Sequence, residues 1–227
     1  MKKVFHIHLW FLLCLGMPCG AQAQTLAQDL TKVKNSFTGP DPIQATIDVR
    51  YFKHEKDVSA AIIKKGVLKR WGNDRYYSVM DGKEYLINKK YTLFVDKSKK
   101  VMVLKNTDPS PQRRAQELSV PEMDKSQEAK YHITKTVSGG TTIYNVVEKT
   151  NPLNRFKMEL DQGASRLRKI IYYGGNSYAR TEISYTYASS VVFSGNEFSE
   201  GKYLTKTSKG FTPTTAYAGY EINNQTR

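Results

Sequence analysis

Residues 155–161 read Arg155-Phe156-Lys157-Met158-Glu159-Leu160-Asp161. Phe156, Met158 and Leu160 alternate with charged neighbours, the two-residue period of a strand with one dry and one wet face. Residues 182–187 repeat it, with Ile183, Tyr185 and Tyr187 set between Glu182, Ser184 and Thr186. A sheet buried on both sides would show unbroken apolar runs instead. These two stretches predict an antiparallel sheet that commits one face to burial.

Working outward, the same block holds strands at about 130–137, 141–148, 155–161, 166–173 and 179–189, punctuated by Gly139-Gly140 and Gly174-Gly175-Asn176. Upstream, six more strands are predicted at about 46–52, 60–70, 75–80, 83–88, 91–95 and 100–105. Gly72-Asn73-Asp74 and Asp81-Gly82 carry residues that tolerate the positive backbone angles of tight hairpins. Connections this short favour antiparallel neighbours, so each block reads as a meander.

Three stretches flank the strands. Thr25-Leu26-Ala27-Gln28 matches a capping box, and Leu26, Leu30, Val33 and Phe37 follow on one helical face until Gly39-Pro40 ends it. Between the meanders, Pro109, Pro111 and Pro121 exclude a central strand. Ser110-Pro111 suits a helix start with Gln112 to Leu118 as its body, the alternative being an ordinary loop. After Ser189 the aromatic residues are scattered, and an extended tail along the sheet edge is expected.

The N-terminus carries a different signal. Lys2 and Lys3, an apolar run from about Val4 to Leu15, and Ala21-Gln22-Ala23 have the order of a cleavable export leader over residues 1–23. The apolar run is shorter than the roughly 20 residues a permanent span requires. Pro18 before Cys19 fits poorly with acylation of that cysteine. Residues 24–227 then form a single domain, large enough for one core. Both cysteines, Cys14 and Cys19, leave with the leader, so no disulfide or thiolate chemistry is expected in the mature chain. The net charge of +14 falls to +12 once Lys2 and Lys3 go. Such a surplus suits nucleic acid, an anionic membrane surface or an acidic ligand; export argues against nucleic acid.

Catalytic chemistry finds little support. Only His54 and His132 lie beyond the leader, the first in the charged run Lys53-His54-Glu55-Lys56-Asp57 and the second at a strand start. Neither sits in a nucleophile–base signature. Zinc needs three or four ligands, and Asp74, Asp81 and Glu84 are too dispersed for a calcium loop. Gly163, Gly174 and Gly175 match no phosphate-binding pattern. The expectation is a protein that is not an enzyme and uses no cofactor or metal. A hydrolase built on His54 or His132 is the minor alternative. By contrast, all fifteen tyrosines follow the leader. Tyrosine joins an apolar ring to a polar tip and can wall a cavity that is alternately wet and filled, although strands also favour it for its shape.

The order of elements resembles the periplasmic lipoprotein-carrier family, the LolA/LolB-like proteins. So does the text of Lys65-Gly66-Val67-Leu68-Lys69-Arg70-Trp71-Gly72 followed by residues 76–87, and of Leu167-Arg168-Lys169-Ile170-Ile171-Tyr172-Tyr173 leading into Glu182-Ile183-Ser184-Tyr185. The resemblance spans nearly the whole mature chain. It implies a mainly β (α+β) fold: a curved antiparallel sheet or incomplete β-barrel of about eleven strands, with the N-terminal helix and a short helical insert as a lid. It also implies an exported, periplasmic carrier that sequesters the acyl chains of lipoproteins or lipids without covalent chemistry, with secretion or outer-membrane association as the alternative locations.

On this reading Ile47, Val49, Tyr51, Phe156, Met158, Leu160, Ile183, Tyr185 and Tyr187 line the apolar face. Arg50 and Arg70 are both candidates for a polar contact near its opening. The expected partners are acyl chains or lipid, with an anionic membrane surface as a further one, and the protein is expected to be a monomer. The competing reading is an envelope structural or interaction protein whose same apolar residues form a closed core.

Overall fold

The computed structural model describes residues 25–108, 123–175 and 177–226. The expected leader with Cys14 and Cys19, and the expected Gln112–Leu118 helix with Pro109, Pro111 and Pro121, lie outside the described residues.

Helix α1 (Leu26–Thr38) starts on the capping box: the Gln28 amide donates to Thr25 Oγ1, and the Thr25 amide donates to Gln28 Oε1. Its stripe of Leu26, Leu30, Val33 and Phe37 is buried. Each such side chain contributes about 1.5–3 kcal/mol by leaving water. The first meander follows as β1 (Ile43–Phe52), β2 (Ile62–Trp71), β3 (Arg75–Met80), β4 (Lys83–Ile87), β5 (Tyr91–Asp96) and β6 (Val101–Asn106). In the β3–β4 hairpin, Asp81 and Gly82 both take positive φ, 53° and 73°. That geometry matches the right-handed twist of the flanking strands. After one helical turn at Lys125–Glu128 comes the second meander: β7 (Tyr131–Ser138), β8 (Thr141–Glu148), β9 (Arg155–Asp161), β10 (Arg166–Tyr173) and β11 (Arg180–Tyr187).

The meanders join where β1 pairs antiparallel with β11, in register from Ala45 opposite Tyr187 to Phe52 opposite Arg180. The result is one curved, open sheet ordered β14-β6-β5-β4-β3-β2-β1-β11-β10-β9-β8-β7. It has twelve strands, one more than the eleven placed in the sequence. The additional one, β14 (Glu221–Asn224), comes from the tail and adds in parallel to edge strand β6. Its weak sequence signal is physical: a short parallel edge strand needs no alternating face of its own.

Directly paired residues share a face, so the registers divide the sheet cleanly. On one side, the helix face, α1 packs against Ile43, Leu68, Tyr144, Met158, Leu160, Leu167 and Ile170. On the other, the tail face, Leu86, Leu93, Val95, Met102 and Leu104 are covered by Tyr203, Leu204 and Tyr217. The tail thus does more than follow the edge. It also forms the hairpin β12 (Leu204–Thr207) and β13 (Gly210–Pro213) and closes a second core. The two cores lie on opposite faces because each half of a one-sided sheet must find its own cover.

Glu84 is the polar centre of the second core. Its carboxylate accepts hydrogen bonds from Tyr77 (2.9 Å) and Tyr203, with Lys97 Nζ at 2.6 Å and Lys202 Nζ at 3.3 Å. Burial alone would raise its pKa. The hydrogen bonds from Lys97, Tyr203 and Tyr77 and the charge of Lys202 outweigh it and bring the value down to about 2.

Candidate functional site: the helix face of the sheet

The nine apolar residues predicted to line one face do share one. Ile47, Val49 and Tyr51 lie opposite Tyr185, Ile183 and Thr181, and Ala45 lies opposite Tyr187. Ile183 in turn pairs with Ile170, which pairs with Met158; Tyr172 pairs with Phe156 and Leu167 with Leu160. A bulge at Arg168 makes this possible. The extra residue lets Leu167 and Ile170, three apart, both point to the helix face.

That face has two ends. One is capped by α1: Met158 and Leu160 are sealed beneath it, and Phe37 stacks on Tyr187 at a ring separation of 6.2 Å. Here the protein fills its own interior, so Met158 and Leu160 are core residues in this arrangement. The cavity left under the helix, walled by residues including Asp29, Val33, Lys135, Thr142 and Leu160, measures about 170 Å³. That is below the roughly 300–1,000 Å³ of ligand pockets. At the other end, where β1, β9, β10 and β11 approach the loops 53–61, 149–154 and 174–179, the face is less covered. Ile47, Tyr51, Phe156, Ile183 and Tyr185 are half-buried, while Ile62 and Tyr172 are 40% and 39% exposed.

Tyrosine dominates this open end. Burial pushes the Tyr185 hydroxyl up to about 12, helped by the neighbouring Tyr172 and Tyr76, and burial also raises Tyr172. Neither Tyr172 nor Tyr185 has a hydroxyl partner among the described residues. Their rings supply apolar wall and their hydroxyls a polar tip, a combination suited to a surface that is alternately wet and filled.

Helix α1 sits on its apolar bed through a set of polar ties. The Tyr144 hydroxyl donates to Asp29 Oδ2 at 2.5 Å, with Lys135 Nζ at 3.4 Å from the same oxygen. The Ala27 amide donates to Glu128 at 2.6 Å, and Ser36 Oγ donates to the Ser165 carbonyl at 2.9 Å. At the C-terminal end stands Arg70, buried on β2. Its guanidinium donates to the carbonyls of Gly72 (2.7 Å), Gly39 (2.8 Å) and Asp41 (3.3 Å), and its Nε has no partner among the described residues. Burial lowers its pKa to about 10, against a smaller opposing pull from Asp41. Arg70 therefore clamps the turn after α1 to the sheet.

Arg50 is placed differently. It lies on the tail face, exposed, with Nε 2.9 Å from Asp48 Oδ1, and the structure does not bring it to the apolar lining. The histidines are likewise apart: His54 is exposed in the β1–β2 loop, His132 is exposed on β7, and four strands separate β1 from β7. A wide-open cleft of about 490 Å³ lies apart from this lining, on the tail face, where Arg75, Lys89, Lys90 and Glu200 border it beside Trp71 and Phe198.

Sequence reasoning missed Tyr172 and Ile62 as part of the lining. Their signal was hidden: Tyr172 lies in the continuous run Ile170-Ile171-Tyr172-Tyr173 beside the bulge, where alternation cannot be read.

No protein-family model matches the chain, and no curated protein matches its sequence. Solved structures are similar in fold. An uncharacterized conserved protein from Thermus thermophilus covers 87% of this chain and 98% of its own, at 7% identity and a TM-score of 0.50. A LolA superfamily protein from Nitrosomonas europaea covers 77% and 98%, at 10% identity and a TM-score of 0.30. The Pseudomonas aeruginosa MucA/MucB complex covers 83% and 63%, at 10% identity and a TM-score of 0.39. At such identities the likeness concerns the fold alone.

Proposed function

We propose that this protein is an envelope carrier that holds acyl chains of lipids or lipoproteins against the helix face, with α1 as its movable cover. The single observation behind this reading is the division of that face. One end is capped by a helix that adds a few polar ties to its apolar seat, and the other stays half-buried and lined with tyrosine. Binding by burial is worth about 0.8 kcal/mol per methylene, enough for useful affinity without covalent chemistry. Displacing α1 would add the bed of Met158, Leu160, Leu167 and Ile170 to the surface a chain can occupy.

A direct test is titration with a fluorescent fatty acid, competed by unlabelled fatty acid. Ile183→Asp places a charge in the path of the chain and is expected to weaken binding at least tenfold while the circular dichroism spectrum is kept. Equal binding by wild type and variant would contradict the assignment. The competing role, a protein-interaction module, draws on the self-filled end of the face, and it predicts no saturable fatty-acid binding at all.

A further inference from the structure

The open end of the helix face is surrounded by side chains that a purely soluble surface does not need. Val58 at the tip of the β1–β2 loop is 98% exposed, Leu153 before β9 is 72% exposed, and Ile62 on β2, opposite Tyr51, is 40% exposed. Single exposed apolar residues are ordinary, but several gathered at one end of a sheet mark a contact surface.

The loop that carries Val58 is held in place. Arg155 pairs with Glu55 at 2.5 Å, while Arg180 donates to the carbonyls of Glu55 and Asp57 and lies 3.7 Å over the Phe52 ring. The His54 amide donates to Asp57 Oδ2 at 3.0 Å. The acidic groups of this loop are thereby engaged, whereas Lys53 and Lys56 of the same loop stand exposed. Ala179 of the facing loop donates its amide to the Phe52 carbonyl, and the Leu153 carbonyl approaches Gly174 so closely that a Cβ there would sit 2.8 Å away. The three loops therefore form one braced rim.

We propose that this rim is a docking surface for an anionic bilayer, with Val58 and Leu153 entering the interface and the lysines resting on the headgroups. The source of specificity is charge complementarity: cations beside protruding apolar side chains suit a negatively charged lipid surface, and each basic residue adds about fivefold to affinity there. The placement deepens the carrier reading and rests on it, because the rim encircles the end of the face where Ile62 and Tyr172 are exposed. Docking there puts the open end against the membrane from which a chain is taken or to which it is given.

The test is co-sedimentation of the mature protein with vesicles of phosphatidylcholine containing phosphatidylglycerol, against vesicles of phosphatidylcholine alone. Binding is expected to the first, to weaken as salt is raised, and to be weak to the second. Val58→Asp is expected to reduce it about tenfold, the loss of one buried valine, and Lys53→Gln with Lys56→Gln about thirtyfold. All three positions are exposed, so an unchanged melting temperature confirms that the fold is intact. Equal binding to both vesicle types, no binding, unaltered binding by the variants, or binding only to a soluble acidic protein would overturn the proposal. The fatty-acid titration, run in parallel without vesicles, separates the two claims. Intact titration with failed sedimentation ends the docking proposal alone, and the reverse ends the carrier reading alone.

Discussion

The Glu84 carboxylate lies beneath the tail, where neither its charge nor its burial would be tolerable alone. Two tyrosines and two lysines make it an anchor for residues 202–217. Its folded pKa of about 2 lies below the ordinary 4.5. The stabilisation is therefore complete above about pH 4.5 and is lost as pH falls toward 2, an effect of roughly 3 kcal/mol. Urea denaturation of the wild type should show a midpoint that drops steeply through this window. Glu84→Gln should be less stable at neutral pH and should show a flatter pH dependence; equal slopes for the two proteins would contradict the anchor. Arg70 is the matching device on the other face, since it holds the turn after α1 through the carbonyls of Gly72, Gly39 and Asp41.

At the scale of elements, α1 combines strong apolar seating with local polar ties. Tyr144→Phe removes the hydrogen bond to Asp29 and is expected to cost about 1–2 kcal/mol. Hydrogen exchange should then quicken across residues 26–38 while β1 and β11 stay protected. Faster exchange throughout the sheet would mean that the helix is an inseparable part of the core. The helix and eleven of the strands were legible in the sequence, each to within about three residues at its ends. Capping, glycine-marked turns and alternation are local signals, and here they agree with the fold. Arg50 and Arg70 were indistinguishable because the face of an isolated arginine is set by register, which no local pattern encodes. The tail was illegible for a related reason: Tyr203, Leu204 and Tyr217 have no period of their own and acquire their places from the sheet they cover.

For the whole molecule, one sheet serves two purposes on its two faces. The tail face is closed by the chain's own C-terminus, which stabilises β3–β6. The helix face is covered by α1 at one end, and its other end stays half-buried beside the loop that carries Lys53 and Lys56. All nine predicted lining residues lie on this face; the division between a filled and an open end was beyond the reach of sequence because it depends on where α1 comes to rest. The most direct measurement is mass spectrometry of lipids extracted from the mature protein purified under native conditions. The account predicts an acyl-bearing molecule in near-stoichiometric amount, lost from Ile183→Asp. A lipid-free extract from folded wild-type protein, prepared in contact with its native membranes, would contradict it.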